Sequence, residues 1–356
     1  MHNVESYFQE FDRRDWQTVT EERPVRLAVI GLGWFARDRA LPAIEKATLC
    51  ETTALVSGSP EKALTVADQF DVDHVIAYDE FHEGHAVDAY DAVYIATPNA
   101  LHLEYAETAA SFGKHALVEK PLEVTVERAE RLVDACEQAD VTLMTAYRLQ
   151  LEPAVRRTRE LIADGFVGEP VRVIGNFGTR LLDNVEPGSW RLDPELAGGG
   201  ALIDVGIYPI NTARYLLDED PTCVCATTAS VHEPFTDVDE HVAVQLGCPD
   251  GVSASCAASF NAHPNSHLHV IGTEGQIRID SPFGGTVPHE ILAERGEMRV
   301  EHVGPPVDEV EEEFEYFAHC ILTETTPEPD GWDGLTDVRV IEAAYESTES
   351  GTRIDL

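Results

Sequence analysis

The chain has 356 residues, 43% of them hydrophobic, enough to bury a sizeable core and more than one average domain requires. Its 65 acidic against 25 basic residues give a formal net charge of −40, which excludes nucleic acid and anionic membranes as natural partners. The 7 cysteines, an odd number without a Cys-x-x-Cys pair, exclude a disulfide framework and a cysteine-bound zinc; no apolar run spans a bilayer and no basic-then-apolar leader opens the chain, so a cytoplasmic location is expected.

Lys46, Lys62, Lys114 and Lys120 are the only lysines; the other 21 basic residues are arginines. This resembles the composition of proteins that work in molar salt, where the Debye length shrinks to about 3 Å and dense like charge is tolerated. The carboxylates are interleaved with regular apolar periodicity, which excludes disorder and predicts that stability falls at low salt.

Residues 1–23 read as a polar amino-terminal arm in which Tyr7, Phe8, Phe11 and Trp16 are spaced to form one stripe. From residue 24 strand-like runs alternate with helical segments. VRLAVIG precedes a helix over 34–46, TTALVSG one over 60–70, HVIAY a short helix, DAVYIAT one over 100–112 and HALVEKP one over 125–139, before VTLMTAY closes the series. That alternation predicts a doubly wound parallel sheet. Beyond residue 150 a helix over 151–164 leads to VRVIGNF, and a helix over 200–217 follows three glycines. The strand candidates CVCATTASV, HVAVQLG, GVSASCAASF, HLHVIG and QIRID then come in a row, and helices return over 309–324 and 335–349. The fold class expected is α/β: an N-terminal Rossmann domain over 24–147, and a C-terminal α+β domain over 148–356 with a large, mostly antiparallel open sheet. The last helix has the option of packing back on the first domain.

Gly31-Leu32-Gly33-Trp34-Phe35-Ala36 ends the first strand and opens the first helix. Gly31 suits the turn, Gly33 close approach of a pyrophosphate and Ala36 helix-to-sheet packing, the pattern of a dinucleotide site. Trp34 and Phe35 stand at the helix start that would meet the phosphates. After the second strand, where an NAD site carries a carboxylate, stand Ser57, Gly58 and Ser59, with Lys62 one turn into the next helix. Hydroxyls, backbone donors and an ammonium suit a 2′-phosphate, so NADP is the expected cofactor; Ser59 also reads as an ordinary N-cap, and both roles are compatible. Ala96-Thr97-Pro98-Asn99 with His102, and Glu119-Lys120-Pro121, each close a strand at the sheet's carboxyl edge, where ligands of such sheets bind. Lys120 stands out in a chain that has nearly eliminated lysine.

Asp204 and Tyr208, four apart, share a helix face behind the glycines at 198–200, which let that helix start close to other backbone. A tyrosine with a pKa near 10 is a poor base unless an ammonium lowers it, and Lys120 is the candidate source of that charge. His263, His267 and His269 lack the carboxylate or cysteine that would complete a metal set, so no metal is expected, and EVEEEFEYF reads as a solvated helix face. Asn176, Phe177, Arg180 and Asp183 follow the first strand of the second domain and are pocket candidates by position.

Together GLGWFA, SGSPEK, ATPN with His102, EKP, AYR at 146–148, SWRLDPELAGGGALIDVGIYPINTARYL at 189–216 and GTEG at 272–275 strongly resemble the glucose-fructose oxidoreductase, inositol dehydrogenase and dihydrodiol dehydrogenase family, over essentially the whole chain after residue 24. The resemblance is closest to the glucose-fructose oxidoreductase branch. It implies that Lys120 helps proton transfer and orients the reacting hydroxyl, and that Asp204 and Tyr208 complete the site. Trp190 and Arg191 would flank the nicotinamide end of NADP, with Arg148 a further contact at the pocket. It implies oxidation of a cyclic aldose at C1, with D-xylose the expected sugar, as the opening step of oxidative pentose breakdown. A dihydrodiol or other polyol dehydrogenase, and a non-catalytic NADP-binding sugar sensor, are the alternatives. Relatives pair through the open sheet, so a homodimer or homotetramer is expected.

Overall fold

The computed structural model describes residues 4–16, 23–285 and 287–356; the remainder of the predicted arm lies outside the described residues. Six short apolar runs form a wholly parallel sheet of β1 (Val25–Ile30), β2 (Cys50–Val56), β3 (His74–Ile76), β4 (Ala92–Ile95), β5 (His115–Glu119) and β6 (Leu143–Ala146), in the order β3-β2-β1-β4-β5-β6. Both faces are covered, which is why β4 and β6 are buried along their whole length. The order reverses between β1 and β4, so their carboxyl ends bound the crevice in which doubly wound sheets take ligands.

Two compact units divide the described residues, one drawn from 15–148 and 310–338, the other from 1–14, 149–309 and 339–356. In the first, Leu335 and Val338 join the core formed by Ile30, Val56, Ile95 and Val118. Thr145 N donates to Pro329 O at 2.8 Å, and a Cβ at Gly334 would lie 2.4 Å from Thr145 Oγ1. The last helix begins at Gly331, four residues before its expected start. The glutamates of the helix Glu309–Thr323 correct an expectation: Glu312, Glu313 and Glu315 are 7%, 1% and 1% exposed, not solvated. Glu315 Oε1 accepts from the backbone N–H and the hydroxyl of Thr48 at 2.5 and 2.9 Å. Among the described residues no helix is long and apolar enough to cross a membrane.

The second unit holds a nine-stranded sheet of β7 (Pro170–Arg180), β8 (Cys223–Ala229), β9 (His241–Gly247), β10 (Ser253–Ser259), β11 (Asn261–Gly272), β12 (Gly275–Asp280), β13 (Glu290–Arg295), β14 (Met298–Val303) and β15 (Ile354–Asp355). Its order is β14-β13-β12-β11-β7-β10-β9-β8-β15, antiparallel throughout except where β10 pairs with β7. The β13–β14 hairpin was not among the predicted strands. The helix Ile207–Leu217 covers one face so closely that a Cβ at Gly175 would lie 2.6 Å from Pro209 Cβ.

The amino-terminal stripe splits. Phe8 and Phe11 pack on His302 of β14 with ring centroids 4.5 and 4.7 Å apart, Tyr7 bonds Asp164, and Arg156 Nη1 donates to Arg13 O at 2.8 Å, all within the second unit. Trp16 instead meets Tyr316 of the first unit at 5.0 Å. The arm's seat depends on Gly304, where a Cβ would lie 2.2 Å from the Phe11 ring. Gly304→Val should therefore displace Phe11 and cost about 1–3 kcal/mol, read as a lowered Tm and faster proteolytic removal of the first residues.

Candidate active site

At the edge between β1 and β4, Gly31 has φ of 90° and its absent Cβ would lie 2.7 Å from Ala96 O, so only glycine turns here. Gly31 N donates to Val56 O at 3.0 Å, lacing the first turn to the end of β2. A Cβ on Gly33 would meet nothing within 4 Å, and the buried Thr97 hydroxyl has no hydrogen-bond partner among the described residues. An open backbone at a helix start beside an unpaired buried hydroxyl fits a dinucleotide, and Trp34 beside it is 63% exposed, with Phe35 half-buried. Beyond Ala36 the helix opens with one π turn, Ala36–Ala40. After β2, the buried Ser57 Oγ accepts from Ser59 N at 3.2 Å. Ser59 is at the N-cap position of Pro60–Phe70, yet its hydroxyl makes no capping bond. Gly58 lies against Tyr78, and Lys62 points outward with its pKa lowered, first by partial burial and then by the Arg37 guanidinium.

His102 departs from the expectation of a cofactor contact. It is 0% exposed, with Nε2 3.2 Å from Thr97 O and Nδ1 3.0 Å from Pro121 O, so it ties the Thr97–Asn99 turn to the Lys120–Pro121 turn. Burial lowers its pKa, against the pull of the Glu123 carboxylate. Glu123, also 0% exposed, accepts from Leu103 N at 3.2 Å, Val124 N at 2.6 Å and Arg128 Nη2 at 2.8 Å, and the same Arg128 nitrogen donates to Ala100 O at 2.7 Å. Glu119 is likewise engaged, accepting from Tyr94 Oη at 2.6 Å and from Lys120 N at 3.2 Å. These ties leave the Lys120 side chain half-buried at the sheet's carboxyl edge, with Pro98 and Asn99 opening the next turn and Arg148 starting a short helix after β6.

In the second unit Asp204 and Tyr208 are the two part-exposed residues of an otherwise buried stretch, 201–214. Asp204 sits in a π turn, Leu202–Gly206, which re-aims its side chain. Arg191 Nε lies 3.4 Å from Asp204 Oδ2 while its guanidinium stacks 4.5 Å over Trp190, so the Trp-Arg pair and the aspartate converge. The Tyr208 ring packs edge-on to Phe177 at 5.4 Å and beside Phe283 at 6.0 Å. The stretch is anchored by two residues that sequence reasoning missed. Asp239 accepts from Gly200 N at 2.8 Å, Leu202 N at 2.7 Å and Tyr345 Oη at 2.8 Å, and its carbonyl accepts from Ala201 N at 2.8 Å. A Cβ at Gly200 would lie 2.1 Å from Asp239 O, and one at Gly199 2.0 Å from Tyr345 Oη, which is why glycines stand there.

Asn176 corrects another expectation. In register it lies beside Ala257 of β10 and His267 of β11 and bonds Asn265, so it faces away from Tyr208, whereas its neighbour Phe177 faces it. Arg180 ends β7 and Asp183 lies in the turn after it, both exposed. His263 is exposed, and His269 pairs with Gln276 at 2.9 Å.

A Rossmann unit with strand order 3-2-1-4-5-6, joined in sequence to a mixed sheet whose covering helix and preceding turn carry an aspartate, a tyrosine and a Trp-Arg pair, is the arrangement of a sugar-type oxidoreductase. Residues 25–147 match the oxidoreductase family, NAD-binding Rossmann fold, and residues 155–278 match the GFO/IDH/MocA C-terminal domain. The chain is 52% identical to a D-xylose 1-dehydrogenase [NADP(+)] of Haloarcula marismortui, over 99% of this chain and 100% of that one. It is 32% identical to D-xylose 1-dehydrogenase (NADP(+)) 2 of Haloferax volcanii, over 92% and 98%. Among solved structures it resembles an aldose-aldose oxidoreductase of Caulobacter crescentus complexed with glycerol, with a TM-score of 0.88, 33% identity and coverage of 94% and 100%. A 3-ketoreductase of Actinomadura kijaniata in complex with NADP superposes with a TM-score of 0.82 at 28% identity, over 91% and 98%. The chain belongs to the GFO/IDH/MocA oxidoreductase family.

Asp239→Ala removes three carboxylate hydrogen bonds at a buried helix start. It should cost about 3 kcal/mol or more in denaturant unfolding, with the Asp204–Tyr208 stretch losing hydrogen-exchange protection first.

Proposed function

We propose that this protein is an NADP-dependent aldose 1-dehydrogenase that oxidises D-xylose at C1 to xylonolactone. The observation that carries the reading is the near-complete span, at 52% identity, of the Haloarcula marismortui D-xylose 1-dehydrogenase [NADP(+)], and the open, unpaired cofactor edge around Gly33 and Thr97 supports it. Gly31, Gly33, Trp34 and Phe35 would hold the pyrophosphate end of the cofactor, and Ser57, Gly58, Ser59 and Lys62 the adenosine end. Ala96, Thr97, Pro98, Asn99, Glu119, Lys120, Arg148, Trp190 and Arg191 would shape the nicotinamide end. Bound there, NADP supplies the ring carbon that accepts hydride from C1.

Tyr208 takes the C1-hydroxyl proton as the C–H bond breaks, Lys120 orients that hydroxyl and assists the proton's departure, and Asp204 orients the sugar. The reading of Asp204 and Tyr208 is supported by their being the two half-open positions of a buried, glycine-started helix. Arg191 lies beside Asp204 as its charge partner, and a carboxylate offers only acceptor oxygens to sugar hydroxyls. Alignment of this kind is worth about 7 kcal/mol or more, so selectivity depends on contacts to the remote hydroxyls, and glucose is expected as a slow substrate.

In molar KCl at neutral to alkaline pH, D-xylose with NADP should turn over fastest in a panel including D-glucose, L-arabinose, myo-inositol and a cyclic diol, with NAD in parallel. Tight NADP binding without turnover of any sugar would instead identify a sensor. Tyr208→Phe should lower kcat by about 100-fold or more while leaving NADP affinity unchanged.

We also propose a homodimer or homotetramer formed through the outer face of β8, β9, β10, β7 and β11. The rows Cys225–Gln245–Ser255–Ile174–His269 and Thr227–Ala243–Ala257–Asn176–His267 cross it without a carboxylate, in a chain with 65 acidic residues. Light scattering should give a multiple of 39.1 kDa for the parent chain and the monomer mass for Ser255→Glu; a parent mass of 39.1 kDa would dismiss the proposal.

A further inference from the structure

We infer that Arg37 is a second cation of the adenosine 2′-phosphate subsite, acting with Lys62, so that the choice of NADP over NAD is made by two neighbouring helices rather than one; the inference rests on the NADP reading above.

β1 and β2 lie side by side in parallel register, with Ile30 opposite Val56, so the turns that follow them are neighbours. Arg37 stands four residues after Gly33 in the first of these segments, and Lys62 four after Gly58 in the second. The Arg37 side chain does not extend away from the turn. Its Nε donates to Gly33 O at 3.3 Å, the same carbonyl that accepts from its own backbone N at 3.2 Å, which folds the guanidinium back toward the amino-terminal end of its helix. Lys62 sits in the first turn of Pro60–Phe70.

Both cations are thus held at helix amino termini, where the backbone dipole repels positive charge. They also repel one another: partial burial first, and then the Arg37 guanidinium, lowers the Lys62 ammonium below its usual range. Local carboxylates do little to relieve this. Arg37 has Asp38 at 3.9 Å, a long contact between mostly exposed groups, and Lys62 makes no ion pair among the described residues, in a chain where carboxylates outnumber cations 65 to 25. Two like charges kept together at two positive helix ends form a site that a phosphate dianion satisfies at once, through charge, the backbone donors and the Ser57–Ser59 turn. A ribose 2′-hydroxyl has no charge to offer there.

The test is calorimetric titration of the full chain in molar KCl with adenosine 2′,5′-bisphosphate and with 5′-AMP, neither of which needs turnover. The parent should bind the bisphosphate at least about tenfold more tightly. Arg37→Met should weaken the bisphosphate by about tenfold and change 5′-AMP by less than about twofold, Lys62→Met should do the same, and Arg37→Lys should restore most of the loss. Arg37→Met with bisphosphate affinity within about twofold of the parent overturns the role of Arg37. A parent that binds the two nucleotides equally overturns the NADP reading itself. Arg37→Gln gives a second uncharged variant should the methionine disturb the helix.

Discussion

Asp239 fixes the start of the stretch that carries Asp204 and Tyr208. At 9% exposure its carboxylate takes three hydrogen bonds and its carbonyl a fourth, all from the first residues of one buried stretch and from Tyr345 behind it. Helix starts leave backbone N–H groups without partners, and buried ones are costly, so the chain has brought an acceptor from 39 residues away to meet them. The glycines at 199 and 200 follow from that approach, since any side chain there would collide with Tyr345 or with Asp239 itself. With the helix start fixed, the π turn and the spacing of four bring Asp204 and Tyr208 alone to the half-open side. The proposed proton acceptor and sugar-orienting carboxylate therefore inherit their placement from a residue that touches neither.

The cofactor edge uses a comparable device. His102 and Glu123 are fully buried, and what they bind is mostly backbone: the carbonyls of Thr97 and Pro121, the amides of Leu103 and Val124. Arg128 closes the network onto Ala100 O. Two turns that leave different strands are thereby held as one edge, and Lys120 gains a fixed base for a flexible four-carbon side chain. In a protein with so much negative charge, rigid backbone donors and a few well-supported cations can hold an anionic cofactor where scattered surface lysines would be screened.

Much of this was legible in the chain because the period of the apolar residues reports it directly. The six strands of the first sheet are short and mainly apolar, broken by Arg26 in β1 and by Glu51, Thr52 and Thr53 in β2, and the fingerprint glycines sit where the first of them stops. The β13–β14 hairpin was not legible: GluIleLeuAlaGluArg and MetArgValGluHisVal are short, rich in charge and close to the edge of the sheet, so their alternation is diluted. Asn176 is a pocket candidate by its position at the first strand of the second domain, and the two-residue period of that strand puts it on the face opposite Phe177. His102 was misread because a polar residue at a ligand edge looks like a ligand contact, whereas its partners are carbonyls, which leave no mark in the side-chain sequence. Asp239 and Glu315 share that limitation, as their partners are backbone or distant in the chain. Charge alone marked the EVEEEFEYF run as solvated, and only tertiary structure places its carboxylates inside.

The division of the chain between its two units bears on how the protein is made. The parallel sheet is complete by residue 146, yet part of its core, Leu335 and Val338, and the carbonyl that accepts from Thr145 come from 310–338. On the ribosome these residues emerge only after the whole nine-stranded sheet except its last short strand has been synthesised. The dinucleotide unit therefore keeps part of its apolar core uncovered until 310–338 follow, and the other unit in turn lacks 339–356 until the end of synthesis. Domain-by-domain folding from the amino terminus is closed to this chain, and the interval before closure is when chaperone binding and aggregation would compete for it.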